Sequence, residues 1–136
     1  MDPVTITIVV IAVFVAFRLL GNLNAMKPQE AASLIESGQA VLIDVREPGE
    51  WAGGVAAPAL LLSLSDLRGS RRQWTPALEK HKGKTLLLYC ASGMRSGTAA
   101  RQLMSEGHVA KNLGGFGRWA RSGLPTRQPS AQELRA

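Results

Sequence analysis

Residues 85–97 constrain the fold of this chain more than any other stretch. Thr85 to Tyr89 is a short apolar run with a polar start, preceded by Gly83 and Lys84, which is the pattern of a buried strand in a parallel sheet. Cys90, the single cysteine of the 136-residue chain, stands where that strand ends. Beyond it Ala99, Ala100, Leu103 and Met104 recur at helical spacing, with Ser96 as the expected N-cap and Gly107 as the stop. The cysteine therefore lies between a strand end and a helix start.

That position carries chemistry. The first turn of a helix has N–H groups without partners and the positive end of the macrodipole. Gly93 lets a short loop turn its amides inward as an anion cradle centred on Cys90. A thiol beside such donors and a cation, here Arg95, ionises more readily, and the thiolate is the nucleophile. A lone cysteine is otherwise usually a small buried hydrophobe; Gly93, Arg95, Ser96 and the strand-to-helix setting favour the reactive reading.

The run Cys90, Ala91, Ser92, Gly93, Met94, Arg95, Ser96 resembles the active-site loop of single-domain rhodaneses, sulfurtransferases that carry sulfur as a cysteine persulfide. Further landmarks follow in that family's order: Leu42 to Arg46 ahead of Glu50 and Trp51, then the cysteine loop, then Leu113 to Gly115, Trp119 and Gly123 to Pro125. The resemblance covers residues 27–126. It implies an α/β, three-layer domain around a central parallel sheet, with Cys90 as the catalytic nucleophile. Ala91, Ser92, Gly93, Met94, Arg95 and Ser96 become substrate-binding residues, and Asp44 and Arg46 supporting residues at the edge of the site. The favoured alternative makes those two structural, with Asp44 capping a neighbouring loop and Arg46 pairing with Glu50 to fix it. The implied substrates are a sulfane donor such as thiosulfate and a nucleophilic acceptor, with no cofactor.

The departure from the family lies at Gly49 to Leu64. Rhodaneses commonly carry Gly-His-Ile-x-Gly-Ala-x-Asn-Ile-Pro there, whereas this chain has Val55 at the histidine and Pro58 at a glycine. A polar contact is lost and the turn is rebuilt around a fixed φ. Those changes motivate an alternative, a catalytically weak, membrane-tethered binding or regulatory module.

Cys90 to Arg95 is one residue shorter than the Cys-x5-Arg loop of tyrosine phosphatases. The tighter loop suits one transferred sulfur rather than a tetrahedral phosphate, with the amides of residues 91–95 facing the persulfide. A phosphatase or arsenate reductase is the third reading, disfavoured by this length. With no second cysteine to resolve a persulfide, discharge needs an external acceptor: cyanide, a small thiol or a partner protein. The single cysteine also excludes an internal disulfide and a multi-cysteine metal site.

The formal charge of +6 is spread over surface-type Lys and Arg without interleaved aromatics, which argues against nucleic-acid binding. At the N-terminus, Val4 to Phe17 with Leu19 and Leu20 forms an apolar run near the lower limit for a membrane span. Arg18 would snorkel to the interface. No basic residue precedes the run and no small-x-small cleavage site follows, so a single-pass anchor is expected over a signal peptide. Arg18 and Lys27 after it predict an outside N-terminus and a cytoplasmic domain at a bacterial inner membrane. The expected organisation is an anchor at 1–21 contacting membrane through residues 4–20, a polar linker at 22–26, the α/β domain at 27–126 and a mobile tail at 127–136.

Within the domain, Pro28 opens a helix over 29–36 closed by Ser37 and Gly38, and 41–45 reads as a central strand. Leu60 to Leu62 suits a short buried strand, Asp66 to Arg68 a turn, and Thr75 the N-cap of a helix begun by Pro76. Val109 to Leu113 reads as a strand and Phe116 to Arg121 as a helical turn, with His81 and His108 as surface histidines.

Overall fold

The computed structural model describes residues 1–23 and 25–135; Asn24, Ala136 and the side chains of residues 18–23 lie outside the described residues, and with them the reading of Arg18. In chain order the elements are α1 (Pro3–Leu23), α2 (Pro28–Glu36), β1 (Ala40–Asp44), α3 (Pro48–Trp51), β2 (Val55–Ala56), β3 (Leu60–Leu61) and α4 (Leu64–Arg68). There follow α5 (Trp74–Lys80), β4 (Thr85–Cys90), α6 (Met94–Ser105), β5 (Ala110–Gly115), α7 (Phe116–Arg121), β6 (Thr126–Arg127) and α8 (Ala131–Arg135).

The central sheet is parallel, in the order β3-β1-β4-β5. Its middle strands are apolar on both faces, as a sheet covered on both sides requires. Side chains alternate along a strand. One face carries Val41, Ile43, Leu86, Leu88 and Cys90, which pack with Leu67, Trp74 and Leu103 of the α4, α5 and α6 layer. The other carries Ala40, Leu42, Leu87 and Tyr89 against Ala31 of α2 and Trp119 of α7. The fold is thus α/β with helices on both faces of a central parallel sheet, and its strands deliver Cys90 to one face and Tyr89 to the other.

Helix boundaries follow local chemistry. Pro28 sits at the first position of α2, where its missing N–H costs nothing, and Gly38 beyond its end has φ +79°. Ser63 caps α4 by accepting from the Asp66 N–H at 3.2 Å, so the expected turn at 66–68 is part of a capped helix. The Asp66 carboxylate in turn accepts from the backbone N–H groups of Arg72, Gln73 and Trp74, which satisfies donors at the start of α5. That helix begins at Trp74 rather than at Pro76. The helix after the cysteine starts at Met94 behind Gly93, which holds φ +93°; Ser96 lies inside the first turn and is not the N-cap expected. Gly107 follows its end at φ +95°.

Several expectations are corrected. The side chains of α1 from Val4 to Phe17 are exposed, and among the described residues no helix is long and apolar enough to cross a membrane. A single pass requires a sufficiently apolar helix across a hydrocarbon core of about 30 Å, and none is found among the described residues. The single-pass anchor, the membrane contact through residues 4–20, the inner-membrane localisation and the outside-to-cytoplasm orientation fall with it. Residues 22–23, read as linker, continue α1. The segment read as a tail begins with Arg127 of β6, a strand antiparallel to β2, and Arg127 donates to Ala57 and Ala59 carbonyls at 2.9 and 3.0 Å while pairing with Glu133. It thereby staples the altered segment around the buried Val55 and Ala56.

Candidate active site

The site is built where β4 ends. Cys90 is the last residue of that strand, fully buried, with its side chain on the α6 face. The loop turns back over it: the Gly93 N–H donates to Cys90 Sγ at 3.0 Å, and Ser96 Oγ lies 3.4 Å from the same sulfur. Burial pushes the thiol's pKa up, but the Ser96 hydroxyl and the amides of Ser96, Ser92 and Gly93 outweigh it and hold the pKa below the ordinary thiol value. Cys90 therefore sits among aliphatics on its strand side and among main-chain donors on its loop side.

The loop's shape depends on the far strand. A Cβ at Gly115 would stand 2.6 Å from the Ala91 carbonyl oxygen, and one at Gly93 would stand 3.1 Å from Gly114 Cα. Only glycine admits that approach, which is the physical content of the Gly114, Gly115 pair. The register between β4 and β5 shifts between Leu88 and Tyr89, so Leu88 faces Asn112 while Tyr89 faces Gly114. Beside this irregularity Asn112 reaches the loop: its Nδ2 donates to the Gly93 carbonyl at 2.8 Å, and its Oδ1 accepts from the Gly114 N–H at 3.0 Å and lies 2.7 Å from Ser96 Oγ.

The remaining loop residues divide. Ala91 and Ser92 are exposed, Met94 is exposed at the start of α6, and Ser96 is buried beside the sulfur. Arg95 extends to α3 and forms a bidentate pair with Glu50 at 2.7 and 2.8 Å. Arg95 draws the Glu50 carboxyl down to about 2, and Glu50 raises the guanidinium's pKa further. Glu50 is itself placed by a capping box in which its carboxylate accepts from the Glu47 N–H at 3.2 Å.

Asp44 and Arg46 stand apart from Cys90. Asp44 ends β1, and Arg46 folds back to it through its backbone N–H at 2.9 Å and its guanidinium at 2.8 Å, with a further bond to the Gly54 carbonyl at 2.8 Å. The guanidinium lies 4.7 Å from the Phe116 ring centroid. Arg46 thus pairs with Asp44 rather than with Glu50, because Glu50 is claimed by Arg95 from a helix distant in sequence. Tyr89 shares this region: its hydroxyl accepts from the Ala56 N–H at 3.0 Å, and burial raises its pKa.

A cavity of about 570 Å³ opens beside the loop, lined by Met94, Arg95, Arg68, Arg101 and Asn112 among others. Cys90 does not line it; the sulfur lies beneath the loop. Sequence reasoning missed Asn112 altogether and misassigned Glu50's partner. A polar residue inside an otherwise apolar strand was the available signal for the first.

Residues 27–122 match the Rhodanese-like domain family. A protein of Synechocystis that carries no functional name is 39% identical over 101 residues, 73% of this chain and 53% of its own length, so the chain spans about half of that relative. A sulfurtransferase of Allochromatium vinosum is 36% identical over 98 residues, covering 71% of this chain and 86% of that protein. The human single-domain sulfurtransferase superposes with a TM-score of 0.58 at 30% identity, over 71% of this chain and 95% of that one. These likenesses support a sulfurtransferase or related sulfur chemistry. With a parallel sheet that ends in a cysteine loop and a family match over most of its length, the chain belongs to the rhodanese-like domain family.

Proposed function

We propose that the chain transfers sulfane sulfur through a persulfide on Cys90. The observation that carries this reading is the cysteine loop itself: a sulfur that receives the Gly93 N–H, with Ser96 beside it and a thiol pKa held low by those groups. The thiolate attacks the outer sulfur of a donor such as thiosulfate. A Cys90 Sγ–S bond forms, the donor's S–S bond breaks, and sulfite leaves with the electron pair. An acceptor nucleophile then attacks the outer sulfur; with cyanide, thiocyanate forms and the Cys90 thiolate leaves. No proton transfer is needed in either step, because each leaving group is a stable anion.

In this reading the amides of residues 91–95 and Ser96 surround the transferred sulfur, Arg95 supplies positive charge at the mouth, and Asp44 and Arg46 support the sheet end without touching the reaction. The acceptor is cyanide, a small thiol or a protein thiol. Thiocyanate formation from thiosulfate and cyanide by wild type and by Cys90→Ser tests the proposal. Cys90-dependent turnover supports it. No turnover by a folded wild-type chain that takes up no sulfur favours a binding module, for which the full burial of Cys90 speaks.

A further inference from the structure

The Asn112 amide has one orientation that fits its neighbours. The Gly114 N–H can only donate and the Gly93 carbonyl can only accept, so Oδ1 faces Gly114 and Nδ2 faces Gly93. An inverted amide would oppose donor to donor and acceptor to acceptor. The Ser96 hydroxyl at 2.7 Å therefore meets an acceptor and gives its single hydrogen to Asn112. While that hydrogen is on Asn112, Ser96 Oγ offers Cys90 Sγ at 3.4 Å a lone pair, which suits a protonated thiol; the hydroxyl lowers the thiol's pKa only in the alternative state in which its hydrogen faces the sulfur. A thiolate requires the opposite: the hydroxyl must turn its hydrogen to the sulfur and leave Asn112 Oδ1 with the Gly114 N–H alone.

We propose that Asn112 is a positioning residue that acts on Cys90 through Ser96, holding the hydroxyl's hydrogen while the sulfur is protonated or sulfur-loaded and giving it up when the sulfur is a thiolate. The loaded state follows from the preceding reading of Cys90 as a sulfur carrier: in a persulfide the charge lies on the outer sulfur, Sγ is neutral, and the hydroxyl returns to Asn112. The bond from Ser96 to Asn112 thus opposes the free thiolate and tolerates both other states. Asn112 also holds the Gly93 carbonyl, a second route to the loop that any test has to separate. The charged groups facing this region are Arg95 with Glu50, Arg101 of α6 and Arg68 of α4. None is a hydrogen-bond partner of Asn112, so a neutral replacement there keeps each of these charges.

The test is a double-mutant cycle read as thiol acidity, from the pH dependence of iodoacetamide alkylation of the full chain. Asn112→Ala is made in the wild-type and Ser96→Ala backgrounds, and Asn112→Ser replaces it if circular dichroism shows that the alanine variant does not fold. In the wild-type background the change should raise the acidity constant of Cys90, relative to its effect in the Ser96→Ala background, by about threefold to tenfold, the ratio carried by one ordinary hydrogen bond. An equal shift in both backgrounds, or a relative fall, overturns the proposal and leaves Asn112 a structural clamp. Alkylation does not require sulfur transfer, so this outcome is independent of the turnover assay that decides the function.

Discussion

Two arginines at the functional end of the sheet are used in opposite ways. Arg46 and Asp44 form a buried pair with side chains 8% and 0% exposed, whereas Arg95 and Glu50 are 35% and 36% exposed. In the first pair the cation is surrounded by a carboxylate, a carbonyl and an aromatic face, and it has no freedom to meet a substrate. In the second, solvent weakens the attraction, so an anion entering the mouth can compete for the guanidinium at small cost. Burial, more than charge, separates a brace from a group that can serve the reaction.

The largest effect should come from breaking the buried pair. Asp44→Ala leaves the Arg46 cation unpaired in the interior and should lower unfolding free energy by about 3–5 kcal/mol in urea titrations. A loss below about 1 kcal/mol would erase the contrast, since that is the range of a surface pair. Gly115→Ala sharpens it from the loop's side: its Cβ would meet the Ala91 oxygen at 2.6 Å, so the loop has to shift. It should cost about 1–3 kcal/mol and slow Cys90 alkylation. Arg95→Ala should cost no more than about 1 kcal/mol. In the proposed reading Arg95 serves the sulfur rather than the fold, so the same change should lower the rate of thiocyanate formation by about tenfold, the equivalent of about one unit in thiol pKa.

The smallest effects are the pH dependences. Cys90 has a folded pKa below its unfolded value of about 8.5, so its ionisation adds stability above that pH, and the gain fades as pH falls through the folded pKa. Glu50, drawn down to about 2, adds stability above the unfolded carboxyl's pKa of about 4.3 and loses it as pH falls towards 2. Its exposure keeps that contribution small. Denaturation midpoints of wild type and Glu50→Gln should therefore converge in acid.

Elements set by local pattern were legible in the sequence. β1, β4, α2 and α7 follow from apolar runs, Pro28, and the glycines and serines that close them. The cysteine loop was visible for the same reason, as its parts are contiguous. What escaped depends on contacts between distant residues. β2 pairs with β6 from far along the chain, Val55 with Arg127 and Ala56 with Thr126, and two-residue strands carry no periodicity. Arg46 looked like Glu50's partner because it is near in sequence; only the fold, which brings Arg95 at the start of α6 within 2.7 Å of Glu50 in α3, shows that Arg95 claims it. Asn112 is one polar letter in a strand, and its reach to Ser96 depends on a register shift that no local pattern encodes. The apolar run of α1 was read as a membrane span from hydropathy alone, and the helix does not meet the required length and apolarity over its described residues.

The central claim is that Cys90 bears a transferred sulfur. Intact-protein mass spectrometry after incubation with thiosulfate tests it most directly. The account predicts a gain of one sulfur atom, located on the Cys90 peptide, removed by cyanide and missing from Cys90→Ser. A folded wild-type chain that shows no such gain, or carries it equally in Cys90→Ser, would contradict the account.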